Sequence, residues 1–109
     1  MALRNNIKMI PLRSFDVSEC DNTWKPINPL GLEEDCFAIN LENNSTEPVL
    51  ISLDGITPNI YIDTGSILPL SFLCTPMNKT YHVEKKTIIY VKNYNNKGIG
   101  NIFLSGYYI

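Results

Sequence analysis

From Cys36 onward, apolar and polar residues alternate in short runs separated by turn formers. "CFAINLEN" sets Phe37, Ile39 and Leu41 on one face and Cys36, Ala38, Asn40 and Glu42 on the other, the two-residue period of a half-buried strand. "NNSTEP", from Asn43 to Pro48, is composed of turn residues and predicts a loop. "VLISL", Val49 to Leu53, predicts a short strand that ends at the hairpin-type pair Asp54-Gly55. "IYI", Ile60 to Ile62, predicts a brief strand, and "DTGS" turns the chain again. "ILPLSFL", Ile67 to Leu73, predicts a strand in which Pro69 lacks an amide donor, so it belongs at a sheet edge or at a bulge. "YHVEKKTIIYVKN" holds one or two strands with Lys85-Lys86 as turn or kink, and "NIFLSGYYI" is the last strand. Gly106 within it predicts a bulge or a close approach by a neighbouring backbone.

Helix signals are nearly absent; the best is a turn around Leu30–Asp35 with Pro29 at its start. Six or seven strands in roughly 75 residues, with turns every 8–12, predict an all-β fold: a small antiparallel β-sandwich, jelly-roll or Ig-like. The first thirty residues differ. Pro11, Pro26 and Pro29 punctuate them, and Ile7, Ile10, Leu12, Phe15, Val17 and Trp24 are scattered anchors. They predict an extended N-terminal arm, residues 1–30, holding one strand near Lys8–Leu12 and then a long connection, ahead of a sandwich domain at 31–109.

The composition, 44% hydrophobic and 18% charged over 109 residues, is that of one ordinary globular domain. No apolar run is long enough to span a membrane. The N-terminus has no signal-peptide pattern, so no membrane partner is expected and the chain is expected in the cytoplasm or in a particle assembled there. Cys20, Cys36 and Cys74 are widely spaced and odd in number, and His82 is the single histidine, which predicts reduced structural thiols and no metal site. The sequons at Asn43, Asn44 and Asn78 follow from an Asn-rich composition.

Charge is laid out in blocks. Residues 1–15 are basic, 16–63 acidic except for Lys25, and 64–109 basic except for Glu84. Such blocks mark a partner surface, or they interleave and cancel in the folded sheet. "IDTGS", Ile62 to Ser66, matches the catalytic loop of aspartic proteases only over a tripeptide that is also ordinary turn chemistry. Asp54, Asp63 and Glu84 carry chemistry only if the fold brings them together. The glycines Gly98 and Gly100 lead into a strand rather than a helix, which excludes a phosphate cradle. No catalytic residue and no cofactor are expected. Lysines and tyrosines in the last third invite comparison with single-strand binders, but a net charge of −2 and two arginines argue against direct nucleic-acid binding.

The run "PVLISLDGITPNIYIDTGSILPLSF…KKTIIYVKN…GIGNIFLSGYYI" resembles small virion structural proteins of tailed, especially short-tailed, bacteriophages. The resemblance covers about residues 36–109 and rests on three stretches: Asn43 to Gly55, Gly65 to Phe72, and "TIIYVK" paired with Gly100 to Tyr108. It implies a non-enzymatic part of the virion, such as a neck or tail ring, a fibre attachment or a capsid decoration. The implied partners are other virion proteins and copies of itself. The expected contact residues are Arg4, Lys8, Arg13 and Trp24 in the arm and Tyr94 and Tyr107 in the sandwich. The last strand runs to Ile109, an end that a neighbouring subunit is expected to cover. The alternative is a carbohydrate- or receptor-binding sandwich module that uses its tyrosines.

Overall fold

The structure, a computed structural model, describes residues 7–71 and 83–108. Among the described residues, nine strands form two antiparallel sheets packed as a β-sandwich: β1 Lys8–Met9, β2 Arg13–Asp16, β3 Lys25–Pro26, β4 Ala38–Ser45, β5 Val49–Ser52, β6 Ile60–Ile62, β7 Ile67–Ser71, β8 Tyr90–Asn93 and β9 Gly100–Tyr108. The first sheet has the order β1-β9-β4-β7, with β2 also on β9; the second has the order β3-β8-β5-β6. β1 and β2 are two halves of one edge strand. Between them, the Ile10 amide donates to the Gly106 carbonyl at 3.1 Å, and Pro11 has no amide to give. Counted so, the sandwich has four strands per sheet, and every connection except β5 to β6 changes sheet. That is jelly-roll order, which decides between the two expected sandwiches.

The strands form where alternation is strict. In β4 every second side chain is buried, and its register with β9 is unbroken from Ala38↔Tyr107 to Ser45↔Gly100. Ile39 and Leu41 of β4 and Ile102 and Leu104 of β9 face inward against Val49 and Ile51 of β5, Ile62 of β6 and Val91 of β8. Each such side chain contributes roughly 1.5–3 kcal/mol on burial. Val17, Cys20, Ile27, Leu32 and Cys36, from the connections, complete the core.

Three expectations are adjusted, and of the two placements expected for Pro69 the sheet edge is the one found. The region set apart as an arm supplies β1, β2 and β3, and its Ile10, Val17, Cys20 and Ile27 are buried, so more of it is sheet than one strand. Short segments interrupted by proline hide their pairing, because the partner strands lie at the far end of the chain. The loop predicted from Asn43 starts later, because Asn43, Asn44 and Ser45 pair with Ile102, Asn101 and Gly100. Pro69 sits on an edge strand without a bulge: β7 pairs only with β4, and Pro69 lies opposite Asn40 in continuous register. Gly106 marks no bulge either. A Cβ there would stand 3.0 Å from the Cys36 sulfur and 3.0 Å from Ile10 Cδ1, so side chains, not a neighbouring backbone, require the glycine.

Candidate contact surface

The connections gather at two ends. The β2–β3, β4–β5, β6–β7 and β8–β9 connections share one end, tied by Asn93 N–H to Asp21 O at 3.0 Å and Thr46 N–H to Ile99 O at 3.0 Å. The β3–β4 connection meets the segment before β8 at the other end, through Leu32 N–H to Thr87 O at 3.0 Å and paired bonds between Cys36 and Val83 at 2.8 Å. Asp54 and Asp63 lie at opposite ends of β6, so the fold does not bring these carboxylates into one site.

Both aspartates serve turns. Asp63 Oδ1 accepts from Thr64 N–H at 2.8 Å, the Gly65 amide donates to Asn43 O at 2.8 Å, and the Thr64 hydroxyl donates to Ser45 O. Asp54 Oδ1 accepts from the amides of Ile56 and Thr57 and from the Ser52 hydroxyl, each at 2.8 Å. The Thr57 and Ile56 amides and the Ser52 hydroxyl, in that order, lower its pKa to about 2. The folded value lies below the unfolded one, about 3.9. The turn's stabilisation is therefore present above that value and lost as pH falls through about 2. In thermal melts, the deficit of Asp54→Ala against the parent protein is expected to stay constant near neutral pH and to close across this acid window.

Asn43, a predicted sequon, is fully buried. Its amide donates to Glu47 O and Ile62 O at 3.0 Å each, and its oxygen accepts from Ser45 Oγ at 2.5 Å. Asn44 is exposed, and Asn78 lies outside the described residues. Cys20 and Cys36 are free and buried. Burial, then the nearby Asp21, pushes the Cys20 thiol up to about 11. Burial also raises Cys36, reinforced by Asp35 and Glu34. Cys74 and His82 lie outside the described residues. Among the described residues no group of three potential ligands could hold a metal ion, and no helix is long and apolar enough to cross a membrane.

The expected contact residues fall in different places. Arg4 and Ile109 lie outside the described residues. Lys8 is exposed on the edge strand β1. Arg13 is ion-paired with Glu33, so here the basic N-terminal block meets the acidic block. Arg13 also lines a recess of about 190 Å³ with Asn28, Pro29, Leu30 and Gly31. The polar groups of that recess are committed, since the Asn28 amide donates to Thr87 O at 3.0 Å and its oxygen accepts from Ile89 N–H at 2.8 Å. Tyr107 lies on the outer face of the first sheet, 6.5 Å from the Phe37 ring and 3.5 Å from the Asn40 amide nitrogen.

Trp24 and Tyr94 both flank the outer face of the second sheet. Lys92 Nζ stands 4.7 Å above the Trp24 ring, and Tyr94 meets Tyr61 edge to face with centroids 5.1 Å apart. The register Lys92↔Leu50↔Tyr61 carries this surface across β8, β5 and β6. Tyr61 and Lys92 were not singled out beforehand. Their signal was the alternation itself, which puts them opposite the buried Ile62 and Val91. Large apolar side chains also stand in solvent at the connections: Leu30 is 90% exposed, Ile56 80% and Ile99 75%.

No family model and no curated protein matches the sequence. Among solved structures the chain is similar to a Bacillus endospore appendage, described as one of a family of disulfide-linked pili. The identity is 16%, the TM-score 0.54, and the match covers 94% of this chain and 88% of that one. This likeness is one of fold.

Proposed function

We propose that the chain is a non-enzymatic structural subunit of a proteinaceous particle, held by contacts with copies of itself and with other particle proteins. The particle is the tailed-phage virion that the resemblance over residues 36–109 points to. The carrying observation is the set of large apolar side chains held in solvent on a rigid frame, Leu30 and Ile56 towards one end and Ile99 at the other. Covering such groups against a partner would be favourable, by roughly 1.5–3 kcal/mol for each side chain fully buried. Three edges of the sandwich carry a proline, Pro11 between β1 and β2, Pro26 in β3 and Pro69 in β7, and each removes an amide donor that an added strand would need. This favours packing through the ends over strand addition. The similar appendage protein belongs to pili, also an assembly, and those are disulfide-linked. Here Cys20 and Cys36 are sealed in the core, which favours non-covalent contacts through these regions.

Light scattering on the purified chain at rising concentration tests the reading. A defined oligomer is expected, together with its loss in the variant carrying Leu30→Ser, Ile56→Ser and Ile99→Ser at unchanged melting temperature. A monomer at every concentration, or an oligomer indifferent to the three substitutions, contradicts it.

A further inference from the structure

The outer face of the second sheet carries a second inference, independent of the subunit reading. Lys92, Leu50 and Tyr61 form a band across β8, β5 and β6, flanked by Trp24 just before β3 and Tyr94 just after β8. Tyr90 shares the face, but its ring is covered by the β5–β6 connection, because a Cβ on Gly55 would stand 3.1 Å from it. Tyr61 and Tyr94 stay half exposed, at 51% and 49%. Their rings meet at 83°, so they form a corner rather than a flat patch. Each offers an apolar ring with a hydroxyl at its tip, and Asp63 follows Tyr61 directly after β6.

The charges decide what such a surface suits. Its central cation, Lys92, is already placed over Trp24. Lys25, beside Trp24, pairs with Asp21 at 3.6 Å. The Asp63 carboxylate is near enough to Tyr61 to help raise its phenol pKa, after desolvation. A polyanion such as nucleic acid would meet two lysines interspersed with the Asp21 and Asp63 carboxylates rather than a basic track. A saturated sugar ring has the complementary chemistry: C–H faces that stack on aromatic rings, and hydroxyls that bond to phenols and a carboxylate. We propose that this face binds an uncharged oligosaccharide, with Tyr61 and Tyr94 stacking on its rings beside Trp24.

Trp24 is the single tryptophan, so its fluorescence reports occupancy. The chain is titrated with soluble neutral glucans, mannans and galactans at up to millimolar saccharide, and with heparin and oligo-dT as anionic probes. The expected result is saturable binding of a neutral class that survives raised salt. Tyr94→Ala, in the connection after β8 and so outside the ladder, is expected to weaken it about tenfold with the melting temperature unchanged. Tyr94→Phe should keep most of the stacking. Binding of none of the neutral saccharides, binding only of the anions, or binding untouched by both Tyr94→Ala and Tyr61→Ala overturns the proposal. So does a dimer that dissociates on Tyr94→Ala without saccharide, since the face would then belong to a second copy.

Discussion

Gly100→Ala is expected to cost about 3 kcal/mol or more, enough to leave much of the chain unfolded under mild denaturant. Gly100 opens β9 at φ +125°, where an L side chain is strained. A Cβ there would also fall on the Asn44 carbonyl oxygen and within 2.7 Å of Ser45 Cα. These atoms belong to the central ladder and cannot retreat without breaking the β4–β9 register. Gly65 is the control. It has φ +75°, but a Cβ there meets nothing within 4 Å, so Gly65→Ala should cost only the backbone term, roughly 1 kcal/mol. Urea midpoints for the two variants check both values; equal losses would show that the close approach at Gly100 carries no weight.

Leu41→Ala is expected to destabilise by about 2–5 kcal/mol through lost burial and the cavity left behind. Leu41 is fully buried at the centre of β4, paired with Leu104 on one side and Leu68 on the other. For a domain of this size the loss corresponds to a fall in melting temperature of roughly 10 °C or more. Ile67→Ala, at the exposed start of the edge strand β7, is expected to change little. Calorimetry on both variants decides, and similar losses would mean that the inner face is misassigned.

The fold was legible where the period of two ran long enough to declare itself. Ala38 to Leu41, Val49 to Ile51 and Ile102 to Tyr108 are strands because each buries alternate side chains, whereas Cys36, expected on the polar face, is buried in the connection before β4; the turns at Asp54-Gly55 and Asp63–Ser66 use the residues such turns need. The strand status of Asn43 to Ser45 was hidden. Their composition is that of a loop, but their backbone pairs with Ile102, Asn101 and Gly100 of β9, and the Asn43 side chain finds its partners in Glu47 O and Ile62 O. β1 falls within the strand expected near Lys8–Leu12, but β2 and β3 were hidden for a different reason: each is four residues or fewer, and their partners β9 and β8 lie about sixty-five or more residues away. Of the contact surface, Trp24 and Tyr94 were legible as aromatics, but their meeting with Lys92 and Tyr61 depends on which strands become neighbours. The pairing of Arg13 with Glu33 likewise needs the fold, since it turns an expected contact residue into an internal tie.

Hydrogen exchange on the intact chain, measured at low and at high protein concentration, tests most directly whether copies meet through the ends of the sandwich. Amides in the connections 27–37, 53–59 and 94–99 are expected to gain protection as concentration rises, while β4 and β9 stay equally protected throughout. Exchange that is the same at both concentrations, or protection confined to the sheet edges, would contradict the account.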